Sequence, residues 1–305
     1  MSSITSIPIV FIHICRSPPP WMREAVKQAR LWNPDAPIVC ISSVVEDYGF
    51  GEEWIAIEDI PEEENHIRFQ KTTLLLKDDN MGGFWRWTTE RMFILENWMR
   101  WKGVEECFHL ENDNMLYENI SRVLPLLRET SPGLSTTFQG QGHKMDTLRT
   151  CFSVLYCCSV DALRDFNFYL AASPSSVDEM TRGGMYWDTN EDTCSYLATA
   201  PVGVVLKSEN YRHWIEDARF SELGVIFDST THGQYLGGVD PNRHAENTAP
   251  GFLNPDCDFR ADQYQYTWIK DEAGRRYPVI QDSNGKPWKI INLHLHCKRL
   301  HDFRS

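Results

Sequence analysis

The sequence predicts an α/β fold: a mixed sheet with helices on both faces, followed by a loop-rich C-terminal part. Two short apolar runs, residues 8–14 and 38–41, flank an amphipathic helical segment, which is the pattern of a βαβ unit and implies a parallel sheet. Further short apolar runs alternate with helical segments through the middle of the chain. Towards the C-terminus, three β-type runs separated by turn residues predict an antiparallel meander.

The first half of the chain supplies the βαβ unit and a long helix. Pro20 can open the first helix at its first position. The apolar stripe of residues 87–101 predicts the long helix, and Thr88 or Thr89 is expected to cap it. The strand predicted at residues 106–110 runs directly into an acidic turn.

The second half is predicted to alternate strands, helices and polar loops. Apolar runs indicate the strands, 3.6-residue periodicity indicates the helices, and Gly, Pro, Asn and Asp mark the loops. Strands are expected at residues 134–138, 152–158, 264–269, 277–280 and 288–296, helices at 160–170 and 191–197, and loops at 52–65, 139–144, 173–188 and 228–262. We expect residues 1–118 and 119–305 to form two halves of a single domain.

Composition indicates a folded, acidic protein and argues against general nucleic-acid binding. The 305 residues are 42% hydrophobic and include 11 Trp and 15 Phe, which is enough for a sizeable core. The net charge is -13, whereas nucleic-acid binding relies on Lys and Arg to neutralise phosphates. A phosphorylated ligand would therefore have to be bound locally, by a metal or by a few basic side chains.

Cysteine usage and the N-terminal run favour a soluble protein of a reducing compartment. Nine cysteines are an odd number, no CxxC pair is present, and Cys157 and Cys158 are typical of a core strand. The N-terminal apolar run follows no basic stretch and precedes no small-residue cleavage site, so it predicts a strand rather than a signal peptide. No segment reaches the ~18 apolar residues of a membrane span. We expect free thiols and a cytoplasmic protein, with any membrane association peripheral.

An acid-x-acid motif follows the strand at residues 106–110. Glu111 and Asp113 can point at one hard cation, and ligands of open α/β sheets bind at the carboxyl ends of strands. Mn²⁺ or Mg²⁺ bound there keeps open positions for phosphate oxygens. An ordinary polar turn, which Asn and Asp also favour, explains this short motif equally well when it is taken alone.

The C-terminal segment holds a second candidate site. Strand alternation places Asn292, His294 and His296 on one face, and Lys298 follows two residues later. Two imidazoles on one face with a lysine beside them suit a metal and a phosphate. A solvated strand edge without a ligand is the alternative.

Three further segments are weaker candidates. Thr88 and Arg91 at the start of the long helix suit a phosphate or a sugar, although capping and a surface salt bridge explain them better. Asp192 lies at the predicted start of a later helix, where the helix dipole favours an acid in any case. Asp228 and Gln234 lie in a Gly-rich loop that either meets a sugar or nucleotide or is stapled by its own hydrogen bonds.

Taken together and in chain order, these segments resemble nucleotide-sugar glycosyltransferases of the GT-A fold. The resemblance is distant to the retaining family-eight galactosyl- and glucosyltransferases and closer to uncharacterised bacterial and viral sugar transferases. It spans most of the chain and implies a Rossmann-like GT-A domain with hexosyl- or pentosyltransferase activity. It also implies that residues 1–118 bind the nucleotide-sugar, and that residues 119–305 bind the acceptor and supply a C-terminal metal and phosphate strand.

The resemblance further implies roles for individual residues. A divalent metal, Mn²⁺ in the first place and Mg²⁺ as the alternative, would bridge the donor diphosphate. Glu111 and Asp113 would bind it, and His294 or His296 would complete its shell. The donor would be contacted by Arg16, Thr88, Arg91, Asn112 and Lys298. The first acid is Glu here instead of the usual Asp, and the spacing from His294 to Lys298 is shorter than in the family-eight enzymes.

The stereochemical course stays open at this stage. An inverting enzyme needs a carboxylate to deprotonate the acceptor hydroxyl, and Asp192 is the first candidate, with Asp228 the second. A retaining enzyme needs no such base, and Gln234 would then lie on the reacting face of the sugar. The expected partners are a UDP-type donor and a carbohydrate or glycoconjugate acceptor, and not nucleic acid.

Two other classes of function compete with the sugar transferase. A nucleotidyltransferase that makes nucleotide-sugars would carry a Gly-rich basic loop after its first strand, whereas residues 16–20 contain no glycine. A non-catalytic carbohydrate-binding protein would stack sugars on exposed Trp and Tyr, whereas most of the Trp residues are expected in the core.

Overall fold

A seven-stranded sheet forms the centre of the molecule, in the order β3-β2-β1-β4-β7-β6-β8. The computed structural model describes residues 6–14, 16–77, 82–141, 148–172, 175–204, 206, 211–240, 248–255, 257, 259–282 and 284–305. The strands of the central sheet are β1 (Ile9–His13), β2 (Ile38–Ser42), β3 (Glu53–Ala56), β4 (Cys107–Leu110), β6 (Leu134–Gln141), β7 (Leu148–Cys157) and β8 (Cys194–Leu197).

All of these strands except β7 run in one direction. β1 pairs in parallel with β2 and β4, β2 with β3, and β6 with β8. β7 lies antiparallel between β4 and β6. The predicted mixed α/β sheet is confirmed, and strands from both sides of residue 118 pair within it.

Helices cover both faces of this sheet. One face carries α1 (Pro20–Trp32) and α4 (Ile120–Thr130), and the other carries α2 (Glu64–Thr72), α3 (Phe84–Lys102), α5 (Val160–Ala172) and α6 (Glu179–Thr189). Alternate residues of β1 enter the two cores, because successive side chains of a strand point to opposite faces. Ile9 and Phe11 belong to the core on the α1 side, and Val10 and Ile12 to the core on the α3 side.

Two smaller sheets lie on the α1 side. The predicted meander is formed by β10 (Gln265–Lys270), β11 (Arg276–Gln281) and β12 (Pro287–Ile290), and β9 (Val225–Ile226) joins β12. β13 (Asn292–His294) pairs antiparallel with β5 (Asn114–Leu116). The strand predicted at residues 288–296 is therefore two strands in two different sheets, and this break carries the C-terminal segment back to the end of β4.

Several predicted loops contain regular structure. Residues 52–65 hold β3, a 3-10 turn and the start of α2, and residues 173–188 hold most of α6. The predicted loop at residues 228–262 contains α9 (Thr231–Gly237). The segment before this loop, for which no element was predicted, holds α7 (Arg212–Ile215) and α8 (Ala218–Leu223). Residues 142–144 of the expected polar loop, and residues 173–174, 241–247, 256, 258 and 283 of other expected loops and turns, lie outside the described residues.

Two predictions about helices are wrong. Residues 194–197 form β8 and not a helix, because the open edge of β6 offers this segment a full set of parallel pairings. The N-cap of α3 is Gly83, with a φ of 78°, and not a threonine. Thr88 and Thr89 lie inside α3, where their hydroxyls donate to Trp85 O at 3.1 and 2.8 Å.

Two further predictions concern cysteines and membranes. The eight cysteines in the described part of the chain are free thiols, as predicted for them. Among the described residues, no helix combines the length and apolarity needed to cross a bilayer.

Candidate metal centre

The acidic motif lies where β4 ends, at the carboxyl edge of the central sheet. Glu111 N donates to Ser153 O on β7 at 2.9 Å, and Asn114 N donates back to Glu111 O at 3.1 Å, so the motif forms a tight turn. β5 begins directly afterwards and pairs with β13, with His294 opposite Asn114. This register brings His294 beside Asp113.

Two carboxylates and two imidazoles converge at this turn. The ligand atoms of Asp113, His294 and His296 all lie within 4.8 Å of one another. His294 Nε2 is 3.3 Å from Asp113 Oδ1 and 3.0 Å from Glu111 Oε2. It is also 3.2 Å from His296 Nε2. Asp113 and His294 are only 4% and 5% exposed, which neither an ordinary polar turn nor a solvated strand edge would produce.

In both histidines, Nδ1 is the ring nitrogen that faces away from the carboxylates, and it lies within hydrogen-bond distance of a neighbouring residue. His294 Nδ1 lies 2.7 Å from Ser229 O and, since a carbonyl oxygen only accepts, Nδ1–H is the donor. Burial would lower the pKa of His294, but Asp113 and Glu111 outweigh it and hold that pKa well above its usual range. Without a cation the ring is therefore protonated at Nε2 and donates to the carboxylates, and a bound metal would replace that proton. His296 Nδ1 lies 2.5 Å from Gln234 Nε2, and Gln234 Oε1 accepts from Asn254 Nδ2 at 2.9 Å. Such backing fixes the ring orientation of metal-binding histidines, so the group fits a divalent cation.

The charges of the group are balanced by two basic side chains. Lys298 Nζ contacts Asp113 Oδ2. Burial alone would raise the pKa of Asp113, but Lys298 and His294 outweigh it and hold that pKa well below its usual range. Burial also opposes ionisation of Glu111, and Arg91 together with His294 outweighs it, so the pKa of Glu111 is lowered. Both carboxylates are therefore anionic, the form in which they bind a metal.

Arg91 connects the metal centre to a buried polar group under α3. Its Nη1 contacts Glu111 Oε1, and its Nη2 lies 3.9 Å from Glu179 Oε1. Glu179 Oε2 accepts from Thr88 Oγ1 at 2.8 Å. Burial raises the pKa of Glu179 to about 7. Arg91 Nε and Nη2 are buried and have no hydrogen-bond partner among the described residues, so this group has donors to offer.

Glu179 is a residue of the site that sequence reasoning missed, because residues 173–188 were predicted to be a loop. One signal could have found it. Asp178 is the N-cap of α6, and its side chain accepts from Thr181 N at 3.0 Å. An acid at an N-cap predicts a helix start, which would have placed Glu179 in its first turn.

Asn112 connects the acidic motif to the last residue of β1 and to the start of α1. Its Oδ1 accepts from Trp21 Nε1 at 3.1 Å, and its Nδ2 lies 3.0 Å from His13 Nδ1. Burial, with a contribution from Arg16, lowers the pKa of His13. Arg16 itself is exposed, and its Nη2 lies 3.2 Å from the point where a Cβ on Gly82 would be. Asn112 thus links the acidic motif to Trp21 and His13, which the sequence did not single out, whereas Arg16 lies near His13 and Gly82.

Asp228 lies beneath the metal centre and is fully buried. Its carboxylate accepts from the backbone N–H groups of His232 and Gly233, at 2.9 and 2.7 Å, and from His294 N at 2.9 Å. It therefore fixes the start of α9 and the position of β13. These contacts place Asp228 as a scaffold under His294, and its role as the second candidate base stays a prediction.

Asp192 is not brought to the site. β8 runs parallel to β6 and therefore in the same direction as β4. Asp192 precedes β8 at the amino edge of the sheet, whereas Glu111 follows β4 at the carboxyl edge. Asp192 is also exposed, in a turn after α6. The structure thus places Asp192 at the edge of the sheet opposite to Glu111, and its role as the base that deprotonates the acceptor hydroxyl stays a prediction.

Comparison with known proteins gives similarities of fold. No protein-family model and no curated protein matches the sequence. The galactosyltransferase LgtC, solved with donor and acceptor sugar analogues, is similar with a TM-score of 0.41 at 11% identity, over 68% of this chain and 82% of LgtC. An active-site mutant of LgtC gives a TM-score of 0.43. Mouse xyloside xylosyltransferase 1 gives 0.41 at 7% identity, over 69% of this chain and 94% of that enzyme. At these TM-scores and identities the likenesses carry no conclusion about the activity of this chain.

Proposed function

We propose that this chain is a metal-dependent glycosyltransferase, which moves a sugar from a nucleoside diphosphate to a hydroxyl of a carbohydrate or glycoconjugate. The observation that carries the proposal is the convergence of Asp113, His294 and His296, with Lys298 in contact, at the carboxyl edge of an α/β sheet. A buried group of this composition binds a cation and a phosphate together. A UDP-type donor and Mn²⁺ are the specific forms that we propose.

Residues of the chain would share the work of stabilising the leaving group. Asp113, His294 and His296, with Glu111, would hold the ion, and the bound ion would neutralise charge on the departing diphosphate. Lys298 can add a second positive charge, since its Nζ already lies at Asp113 Oδ2. A fixed cation placed where negative charge develops lowers the barrier, because no reorganisation is needed during the reaction.

The group around Arg91 is proposed to bind the donor sugar. Arg91 and Glu179 are 6% and 2% exposed and present a donor and an acceptor on the α3 side of the metal centre. Thr88 Oγ1 fixes Glu179 from one side, and Arg91 fixes Glu111 from the other. Gln234, which the sequence suggested for the reacting face of the sugar, acts instead on His296 as a positioning residue.

The proposal is tested by a screen of nucleotide-sugars. Each sugar nucleotide is incubated with the protein, with Mn²⁺ or with EDTA, and release of nucleoside diphosphate is measured. We expect at least one donor to be hydrolysed or transferred only in Mn²⁺, and Asp113→Asn to abolish the release. Pyrophosphate release from a nucleoside triphosphate and a sugar phosphate would indicate a nucleotidyltransferase. Sugar binding that needs neither metal nor nucleotide would indicate a carbohydrate-binding protein.

A further inference from the structure

The two-stranded sheet beside the metal centre is short, and its backbone alone does not set its register. β13 and β5 pair over three residues each, with His294 opposite Asn114 and Asn292 opposite Leu116. The backbone hydrogen bonds of an antiparallel ladder form equally well after a shift of two residues, so side chains have to select the register. This selection matters because the register decides whether His294 lies beside Asp113.

The alternation of side chains excludes a shift by one residue but not a shift by two. A one-residue shift would bring Leu293 and Leu295, which are fully buried, to the face of the metal centre. A two-residue shift keeps every side chain on its own face and would put His296 opposite Asn114, in the place of His294. The acidic motif would then lose one of its two imidazoles, although the pattern of apolar and polar residues would be unchanged.

A buried pair of amides distinguishes between these two registers. Asn114 and Asn292 are both 0% exposed. Asn292 Nδ2 donates to Asn114 Oδ1 at 2.7 Å, and Asn114 Nδ2 donates to Ser153 O at 2.9 Å. The two-residue shift would move Asn292 about 7 Å farther along the strand, since one strand residue spans about 3.4 Å. The amides would then be buried without each other as partners, which is unfavourable.

Asn292 also binds the backbone of Asp228 at two points. Its Oδ1 accepts from Asp228 N at 3.1 Å, and its Nδ2 donates to Asp228 O at 3.0 Å. The next residue, Ser229, supplies the carbonyl to which His294 Nδ1 donates, and the Asp228 carboxylate accepts from His294 N. One amide therefore aligns the strand of the histidines with the acidic turn and with the groups that orient His294.

We infer that Asn114 and Asn292 are positioning residues of the metal centre, because their amide pair selects the register in which β13 presents His294 to Asp113. The inference rests on the proposed function, since it concerns the same centre, and it adds two residues that lie outside the group of metal ligands. A single buried asparagine fixes the register of paired helices in coiled coils. Here a pair of asparagines acts in the same way between two strands.

The experiment measures the Mn²⁺ affinity by titration calorimetry, and the stability by circular dichroism melts in EDTA. Leucine has nearly the shape of asparagine but forms no hydrogen bonds. We expect Asn292→Leu to weaken Mn²⁺ binding by about 10- to 100-fold, the loss known for residues that support metal ligands. Asn114→Leu should give a loss of the same order. The double variant should lose no more than the larger of the two single losses, because both residues act through one pair.

Asn33→Leu is the matched control, because Asn33 makes the same set of contacts at another place in the fold. Asn33 is 1% exposed, its Oδ1 accepts from Ile120 N, and its Nδ2 donates to Ala29 O and Glu118 O. Both Asn33→Leu and Asn292→Leu should lower the melting temperature in EDTA, since each removes a fully bonded buried amide. Only Asn292→Leu is expected to weaken Mn²⁺ binding, whereas Asn33→Leu should stay within about 2-fold of the unmodified protein.

The possible outcomes distinguish the inference from the proposed function. Full Mn²⁺ affinity in a folded Asn292→Leu variant would overturn the inference. An equal loss in Asn33→Leu would overturn it as well, because the loss would then follow from general destabilisation, and so would losses that add in the double variant. If Asn292→Leu does not fold, Asn114→Leu decides by comparison with Asn33→Leu, since it keeps the bonds between Asn292 and Asp228. An unmodified protein that binds no Mn²⁺ would overturn the metal centre and with it the proposed function.

Discussion

Replacement of Asp113 by Asn removes one charge from the metal centre while keeping the size of the side chain. The Asp113 carboxylate contacts Lys298 and lies 3.3 Å from His294 Nε2. An amide oxygen is a much weaker ligand than a carboxylate. We therefore expect Asp113→Asn to lower the affinity for Mn²⁺ by at least ~100-fold, the upper end of the losses known for residues that support a metal site.

The size of the effect follows from binding linkage. A metal that binds only the folded protein stabilises it by RT ln(1 + [L]/Kd), about 2.7 kcal/mol when the free metal is at 100 times Kd. A domain of this length gains about 2 °C in Tm per kcal/mol, so Mn²⁺ should raise Tm by about 5 °C. At the same metal concentration, a variant with ~100-fold weaker binding gains about 0.4 kcal/mol, which is less than about 1 °C.

The assay is a thermal melt in a Mn²⁺ series, with each protein compared with its own melt in EDTA. That baseline matters because Asp113→Asn also leaves Lys298 without its anionic partner and lowers the stability of the metal-free protein. Asp262→Asn, which removes an exposed acid paired with Arg260, is the matched control and should keep the full shift. An Asp113→Asn variant that keeps the same metal-dependent shift as the unmodified protein would refute the assignment of this centre.

Three further predictions concern Gln234, Glu179 and Asp192. Gln234→Leu removes the group that holds His296 Nδ1 and should weaken Mn²⁺ binding by about 10- to 100-fold in the same melts; unchanged affinity would show that the ring is held without it. Burial raises the pKa of Glu179 from 4.5 to about 7, so the folded state favours the neutral acid. The contribution of Glu179 to the free energy of unfolding therefore falls as pH rises from about 4.5 to 7, by ~3 kcal/mol in all. Glu179→Gln should therefore stabilise the protein against urea at pH 8 and have little effect at pH 4.5, and a variant that is less stable at pH 8 would contradict this. Asp192→Ala should keep sugar-transfer activity within about 2-fold, and a loss of 100-fold or more would mean that the amino edge of the sheet takes part in the reaction.

The residues that converge at the candidate metal centre could be predicted because its two halves carry local signals. Glu111 and Asp113 follow a short apolar strand, and the alternation of His294 and His296 is a property of any extended segment. What the sequence could not supply was the pairing of β13 with β5, since no periodicity encodes which distant strand a segment joins. That pairing determines whether His294 and His296 lie beside the acidic motif or at a solvent-exposed edge of a sheet.

The wrong helix prediction at residues 191–197 has a different cause. Residues 191–197 have a mixture of acidic and apolar residues that is compatible with a short helix, and only the open edge of β6 makes the segment a strand. The free energy of edge pairing is a tertiary effect, and it overrides the weak local preference of so short a segment. Because Asp192 then precedes a strand that runs parallel to β4, it lies at the edge of the sheet opposite to the acidic motif.

The sequence analysis missed Glu179 because two glycines in its helix made the segment resemble a loop. Gly183 and Gly184 lower the helix propensity of the segment, which made it look like a loop. The structure shows why they are needed there. A Cβ on Gly184 would lie 2.3 Å from Leu148 O, and one on Gly183 would lie 2.2 Å from Thr150 Oγ1. The glycines let α6 approach β7 closely, and this approach sets the position of Glu179 beside Arg91.

The pairing of β13 with β5 also has a consequence for how the protein matures. Lys298 and Asp113 meet across 185 residues of chain, so the acids are synthesised long before their cationic partners. Until β13 docks, Glu111 and Asp113 lack His294 and Lys298, and a cation held there would have only carboxylate oxygens around it. Contacts of such long range are slow to form, because closing so long a loop costs conformational entropy. The metal affinity proposed for this group would therefore be complete only after β13 has paired with β5, and metal retention would report on that pairing.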